Sequence, residues 1–345
     1  MDDGNLGRMT DTIKKPKLGV VMFQLGGPDS PEAVEPFLYN LFRDPDIINF
    51  PMAWVARKPL ARYIARTRSV VVREFYKVIG GQSPIRLLTE LQARKLEEAL
   101  SADFDVHCWV AMRYWNPLTE AAVEAVRAAQ LDSLVLLPLY PHYSFATTLS
   151  SLKEWKRVYR PAPGAPPEIL IEDFHTHPLY IQALRERIET SLTHFDDPSS
   201  VHLLFSAHGL PMSLIERGDP YKRHIDETMQ AVLELGGWTN QPSTLCFQSR
   251  VGRQKWLSPS LADTLPQLGR AGVKNLLVIP ISFVTEHIET LHEINIVARE
   301  EARAAGIEQF ELMPAVGVSP TFIEALSSLV RSAVETKNAA PASKP

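Results

Sequence analysis

Long apolar runs, cysteine and an excess of positive charge are all scarce in this 345-residue chain. No stretch approaches the roughly 18 uninterrupted apolar residues of a membrane-spanning helix, so the chain is not expected to span a bilayer. Lys+Arg 36 against Asp+Glu 40 leaves a formal net charge of −4. Such a balance gives no global field to attract nucleic acid, and any cationic surface must be local. Only two cysteines occur, Cys108 and Cys246, each inside an apolar strand-like run. Without CxxC spacing they make neither a disulfide framework nor a cysteine-built metal cluster, and a reducing, cytoplasmic setting is expected. The start, MDDGNLGRMTDTIKKPK, is polar and has no apolar signal-peptide core. Residues 1–17 and the Ala/Pro/Lys-rich residues 337–345 are therefore expected to be disordered tails.

What is there has the composition of a globular protein, with 45% hydrophobic and 22% charged residues. At about 100–200 residues per domain, the length suggests two domains. Apolar runs bounded by turn residues alternate with helical spacing, the pattern of an α/β protein with parallel strands and crossover helices. The two halves repeat these parts in the same order. LGVVMFQLGGP, DVHCWVAMRYWNP, TEAAVEAVRAAQ, SLVLLPLYPHYS and ILIEDFHTHPLYIQALRERI are matched by VHLLFSAHGLP, TLCFQSRVG, SLADTLPQLGRAG, NLLVIPISFVTEH and FELMPAVGVSPTFIEALSSLV. Two doubly wound lobes are expected, 18–197 and 198–336, meeting in the polar HFDDPSS segment, with functional groups on loops beyond the carboxyl ends of the strands.

The unusual residues fall on those loops. His208 follows a buried strand in FSAHGLP, where an imidazole could move protons or hold a borderline metal, or be structural. At the equivalent strand end later in the chain comes FVTEHIETLHEI. A helix starting near Thr285 would set Glu286, Glu289 and Glu293 on one face at i, i+3 and i+7. That row is either a solvated face or a path for a divalent cation toward His208, with His287 and His292 as further donors. Leu25-Gly26-Gly27-Pro28 and Gly80-Gly81-Gln82-Ser83-Pro84 are turns whose glycines let backbone approach a ligand, but neither fits a nucleotide-binding fingerprint. Arg113 and Arg250 stand at matching strand ends, where each could fork a ligand carboxylate, cap a helix or make an interlobe ion pair. Finally, residues 49–73 contain no acid, and Arg57, Lys58, Arg62, Arg66 and Arg68 alternate with Phe50, Trp54, Leu60, Tyr63 and Ile64. This composition suits a membrane-surface contact, a pocket lip for a large apolar anion, or a solvated basic helix.

Taken in order, QLGGPDSPEAVEPFLYNLFRDPDI, YKVIGGQSPI, MRYWNPLTE, LPLYPHYSFATT, FSAHGLP, CFQSRVGRQKWLSP and FVTEHIETLHEI resemble the ferrochelatases of bacteria, from Leu18 to about Val330. The resemblance implies two Rossmann-like lobes around a central cleft and insertion of Fe²⁺, as substrate, into a porphyrin in the terminal part of haem synthesis. Protoporphyrin IX is the favoured porphyrin and coproporphyrin the alternative. It implies that His208 and Glu289 are catalytic, that Glu286, His287 and Glu293 join them along the metal path, and that Leu25, Tyr76, Ser83, Arg113, Tyr114 and Trp256 contact the porphyrin. Arg113 and Tyr114 would stand opposite His208, Tyr76 and Ser83 would hold the propionates, and 49–73 would form the lip. Gln24 stands where many members have Asn, and Val297 where some continue the acidic row. The carboxyl-terminal cysteines that carry a [2Fe–2S] cluster in animal relatives are missing, so no cluster is expected. A non-catalytic porphyrin or haem carrier would not need the glutamate row, and a cobalt or nickel chelatase of a related tetrapyrrole pathway should lack YKVIGGQSPI and MRYWNP. Peripheral contact with an anionic membrane is expected of the lip, and no nucleic acid partner.

Overall fold

The computed structural model describes residues 14–45, 53–250 and 254–339, with residues 53–55 as backbone only. Phe50, the Trp54 side chain and the parts of the expected tails before residue 14 and after 339 lie outside that description, whereas Lys17 begins a strand and residues 337–339 continue a helix.

Among the described residues, eight strands form two four-stranded parallel sheets. Strands β1 (Lys17–Gln24), β2 (Asp105–Met112), β3 (Ser133–Pro138) and β4 (Glu168–Leu170) lie in the order β2-β1-β3-β4. Strands β5 (His202–His208), β6 (Ser243–Gln248), β7 (Asn275–Pro280) and β8 (Gln309–Leu312) repeat that order as β6-β5-β7-β8. The central strands are continuous apolar runs because parallel sheets are covered on both faces, and Val20, Val21, Leu203, Leu204 and Phe205 are fully buried. The doubled pattern seen in the sequence is thus a doubled topology. Its register is also shared: Gln24 pairs with Met112 at the end of β1 as His208 pairs with Gln248 at the end of β5. Strand order reverses between β1 and β3 and between β5 and β7, and groups at the carboxyl ends of such strands flank a crevice.

The first half carries an insertion between β1 and β2. Helix α1 (Val34–Arg43) packs on α2 (Ala53–Val78), and α3 (Ile85–Leu100) then leads into β2. The helix that closes each half crosses to the other. Pro178–Leu192 follows β4 but packs on Tyr221–Gly236 and β7, and Pro320–Ala339 follows β8 but packs on α3, β3 and β4. One apolar core therefore runs through both sheets, from Leu18 and Val20 through Leu184 and Phe205 to Val330. The Gln92 amide of α3 is buried in this junction, donating to Val284 O at 3.2 Å and Gly317 O at 2.8 Å. No helix among the described residues is long and apolar enough to cross a membrane.

Candidate active site

His208 ends β5, and its main chain is fixed from both sides. Its N–H donates to Ser282 Oγ at 3.1 Å and its carbonyl accepts from the Tyr221 hydroxyl at 3.0 Å. A side chain on the next residue, Gly209, would place Cβ 2.7 Å from Gln248 O, so only glycine lets the chain turn there. Trp256 stands 3.4 Å from the same point, which sets that expected aromatic beside the histidine.

The segment after β7 departs from the expected helix. The helix begins at Ile288 rather than near Thr285, and Glu289–Ala298 is π-helical. The Val284 carbonyl already accepts from Gly317 N–H at 3.0 Å and from Gln92, so it cannot serve a helical turn. Glu286 thus leaves the predicted row. Its Oε1 accepts from Ala315 N–H at 2.7 Å and its Oε2 from the Thr290 hydroxyl. His287 is also turned inward: its Nδ1 accepts from Glu289 N–H at 3.1 Å, its ring meets Phe283 edge-on at 4.2 Å, and its Nε2 is buried without a partner. His292 stacks on Phe75 of α2 at 4.3 Å.

The wider π turn brings Glu289 and Glu293 together. Such π segments recur at functional sites, and a shorter one, Phe145–Leu149, follows β3 at the equivalent place but carries no carboxylate. Glu289 Oε2 lies 2.7 Å from His208 Nδ1 and also accepts from Ser249 Oγ at 2.9 Å and Gln248 Nε2 at 3.2 Å. Ser249 Oγ lies 2.6 Å from Glu293 Oε2. Ser249 holds φ 63, the left-handed region that a non-glycine residue rarely enters. Its single hydroxyl joins the two carboxylates.

Charge is unevenly shared among these groups. Burial opposes a charge on His208, but the neighbouring Glu289 carboxylate outweighs it and raises the imidazole above its ordinary pKa. Burial likewise works against the Glu289 charge, yet His208 holds that carboxyl well below the usual range. Glu293 goes the other way, pushed up to about 7 by burial and then by Glu289. Glu293 therefore takes up and releases a proton near neutrality. Tyr76, in the last turn of α2, is raised by burial and then by the fields of Glu289 and Glu293, which places its phenol near the carboxylates.

The remaining predicted contacts gather in an apolar cluster against this centre. Tyr76 and Tyr114 share it with Leu25, Trp115 and Ile288, the residue just before Glu289. Leu25 is held by both ends of its peptide, donating to Gln24 Oε1 and accepting from Tyr114 N–H, each at 3.0 Å. Arg113 and Tyr114 are anchored by a residue the sequence did not single out. Asp44 Oδ2 takes Arg113 Nη2 at 2.5 Å, the Tyr114 hydroxyl at 2.8 Å and Ser150 Oγ at 3.0 Å, with the Asp44 side chain 1% exposed. Arg113 is thus tied into an ion pair within its own half, not the interlobe pair expected as one alternative. Ser83 is buried under the Leu25–Pro28 turn, its N–H donating to Pro28 O at 2.8 Å, and a side chain at Gly27 would meet its hydroxyl at 2.6 Å.

The chain resembles known proteins along nearly its whole length. The ferrochelatase family model matches residues 17–334. The ferrochelatase of Geotalea uraniireducens is 48% identical over 93% of this chain and 99% of its own length, and that of Picosynechococcus sp. 46% identical over 92% and 83%. Among solved structures, SirB from Bacillus subtilis with Fe³⁺ has a TM-score of 0.56 at 12% identity, covering 94% of this chain and 98% of that one. SirB from Bacillus subtilis subspecies spizizenii, a sirohydrochlorin chelatase in complex with cobalt, has 0.54 at 12% identity, covering 93% and 97%. These two establish a shared fold. The family match and the identity over nearly the whole chain establish more: this chain belongs to the ferrochelatase family.

Proposed function

We propose that the chain inserts Fe²⁺ into a porphyrin, with protoporphyrin IX as the favoured substrate, and that His208 and Glu289 carry the chemistry. The observation that bears most weight is the 2.7 Å contact between His208 Nδ1 and Glu289 Oε2 at the mouth of a strand-order reversal. Metallation requires that two pyrrole N–H protons leave and that the ion shed water. With Nδ1–H directed at Glu289, a neutral His208 presents Nε2, which has no protein partner among the described residues, and the side chain is 37% exposed. Nε2 then accepts a pyrrole proton, and Glu289 stabilises the imidazolium that forms. Ser249 links Glu289 to Glu293, whose pKa near neutrality suits it to pass the proton outward. The same carboxylates offer hard oxygen donors to incoming Fe²⁺. Glu286 and His287 support this path through the turn before the π-helix rather than by facing His208.

In this reading Leu25, Tyr76, Tyr114 and Trp256 contact the macrocycle, and Arg113, tied to Asp44, holds their cluster in place. Ser83 acts at the propionate end through the turn it packs beneath. No [2Fe–2S] cluster enters the proposal, because the chain's two cysteines lie in β2 and β6 and cannot supply four thiolates. The chain acts in the cytoplasm, and α2 touches anionic membrane. Support comes from its outer face, which leaves Leu60, Tyr63, Val70, Val71 and Val78 exposed beside the cations Lys58, Arg62 and Arg66. The test is Fe²⁺ insertion assayed in parallel with protoporphyrin IX and coproporphyrin. Turnover of protoporphyrin at the higher kcat/KM supports the reading, and turnover of coproporphyrin alone removes its substrate assignment.

A further inference from the structure

Outside the cleft, the two halves meet at a second group of metal-ligating side chains. Asp173 and His175 lie in the segment after β4, and His224 and Glu227 lie on the Tyr221–Gly236 helix. His175 is bonded at both nitrogens, Nδ1 to Asp173 Oδ1 at 2.6 Å and Nε2 to Glu227 Oε2 at 2.7 Å. Its ring stacks on that of His224 with centroids 3.7 Å apart and planes within 4°. One ligand atom from each of Asp173, His175 and His224 falls within 4.8 Å of the others.

A second observation is independent of this clustering. His224 is 5% exposed, and its Nδ1 is buried with no hydrogen-bond partner. An unsatisfied imidazole nitrogen in the interior is costly unless something fills it. Burial holds that ring below its ordinary pKa, in the neutral form that has a lone pair to give. Asp173 and Glu227, with side chains 29% and 44% exposed, keep the group open to solvent.

We propose that Asp173, His175 and His224 bind one divalent first-row transition cation and so join the two halves, while Glu227 holds the far nitrogen of His175. Imidazole nitrogen with carboxylate oxygen is a donor set for Zn²⁺, Co²⁺ or Fe²⁺ rather than for Ca²⁺ or Mg²⁺. The cation takes the place of the proton shared by Asp173 and His175, which passes to solvent. Ligand atoms about 2.1 Å from a tetrahedral centre stand about 3.4 Å apart, so this contact opens by less than about 1 Å. His224 turns about its Cβ–Cγ bond, because the lone pairs of stacked rings lie in separate parallel planes and do not converge on one ion. Among the described residues, the cation facing the group is Arg223, whose Nη2 is 3.4 Å from His224 Nε2, opposite the nitrogen assigned to the metal. Its side chain is 69% exposed and can swing into solvent. His142, 6.4 Å from His175, is engaged by Thr228 and is not a ligand.

The site is separable from the cleft by titrating the full chain with Co²⁺, followed by calorimetry and by the visible bands of the bound ion. In a His208→Ala background, which weakens binding in the cleft, we expect one Co²⁺ whose affinity falls at least tenfold on adding His224→Ala. Asp173→Asn, which keeps shape, should also fall, and circular dichroism checks the fold of each variant. In the same His208→Ala background, added Zn²⁺ should raise the melting temperature, and adding Asp173→Asn should abolish that rise. Equal Co²⁺ affinity with and without His224→Ala and Asp173→Asn, or no Co²⁺ bound in the His208→Ala background, would overturn the proposal.

Discussion

His208 Nδ1 and Glu289 Oε2 stand 2.7 Å apart across 81 residues of chain. The carboxylate raises the histidine pKa against the effect of burial. Replacing Glu289 by Gln removes the larger of the two carboxylate charges that oppose burial and leaves only that of Glu293, so the His208 pKa should fall. The acidic limb of the rate profile should shift to lower pH while the maximal rate falls. An NMR titration of His208 reads the shift directly, and an unmoved midpoint would separate the two residues.

Glu293 makes a prediction about stability. Its carboxyl is raised to about 7 by burial and by Glu289, so the folded state holds that proton more tightly than the unfolded chain. A group raised in this way contributes stability below its unfolded value of about 4.3 that is lost as pH rises through the folded value. Glu293→Gln mimics the protonated form. It should therefore stabilise the protein relative to the parent at pH 8 and have little effect at pH 4, as urea midpoints at the two pH values would reveal.

Asp44 gathers Arg113, Tyr114 and Ser150 at one buried oxygen. Asp44→Asn leaves the Arg113 guanidinium, 16% exposed, without its counter-charge. Breaking a buried pair in this way costs about 3–5 kcal/mol. Chemical denaturation should report a loss of that order, and a change below about 1 kcal/mol would mean that solvent reaches the pair.

On α2, Lys58→Gln with Arg66→Gln should weaken sedimentation with anionic vesicles by up to about 1 kcal/mol per cation, and added salt should do the same. Tyr63, 69% exposed, should matter as an apolar anchor, so Tyr63→Ala should weaken binding even at high salt. A parent that ignores anionic vesicles at low salt would contradict the membrane contact.

The strands were legible because they are continuous apolar runs ended by turn residues, and the halves because those runs recur in order. His208 was legible as a polar group at a strand end, whereas Glu289 was legible only as one of a row of carboxylates and was singled out by the family resemblance. The rest depended on long-range contacts that leave no periodic trace. Glu286 fell out of the predicted row because Gly317 and Gln92 occupy the Val284 carbonyl. Asp44 carried one signal that could have been used: with Asp46 it is the last acid before a long basic stretch. Ser249 lay in a quoted motif, but only its left-handed backbone aims the hydroxyl between two carboxylates. The exchange of closing helices was hidden because Pro178–Leu192 and Pro320–Ala339 have the same amphipathic pattern whichever sheet they cover.

The most direct test of the account is the rate of Fe²⁺ insertion by His208→Ala at saturating porphyrin, measured beside its porphyrin affinity. With Nε2 gone and the macrocycle contacts intact, turnover should fall at least about 100-fold, the scale of a positioned acid–base group, while porphyrin affinity stays within a few-fold of the parent. A His208→Ala protein that still metallates porphyrin at the parental rate would contradict the assignment of His208 and, with it, the proton path through Glu289, Ser249 and Glu293.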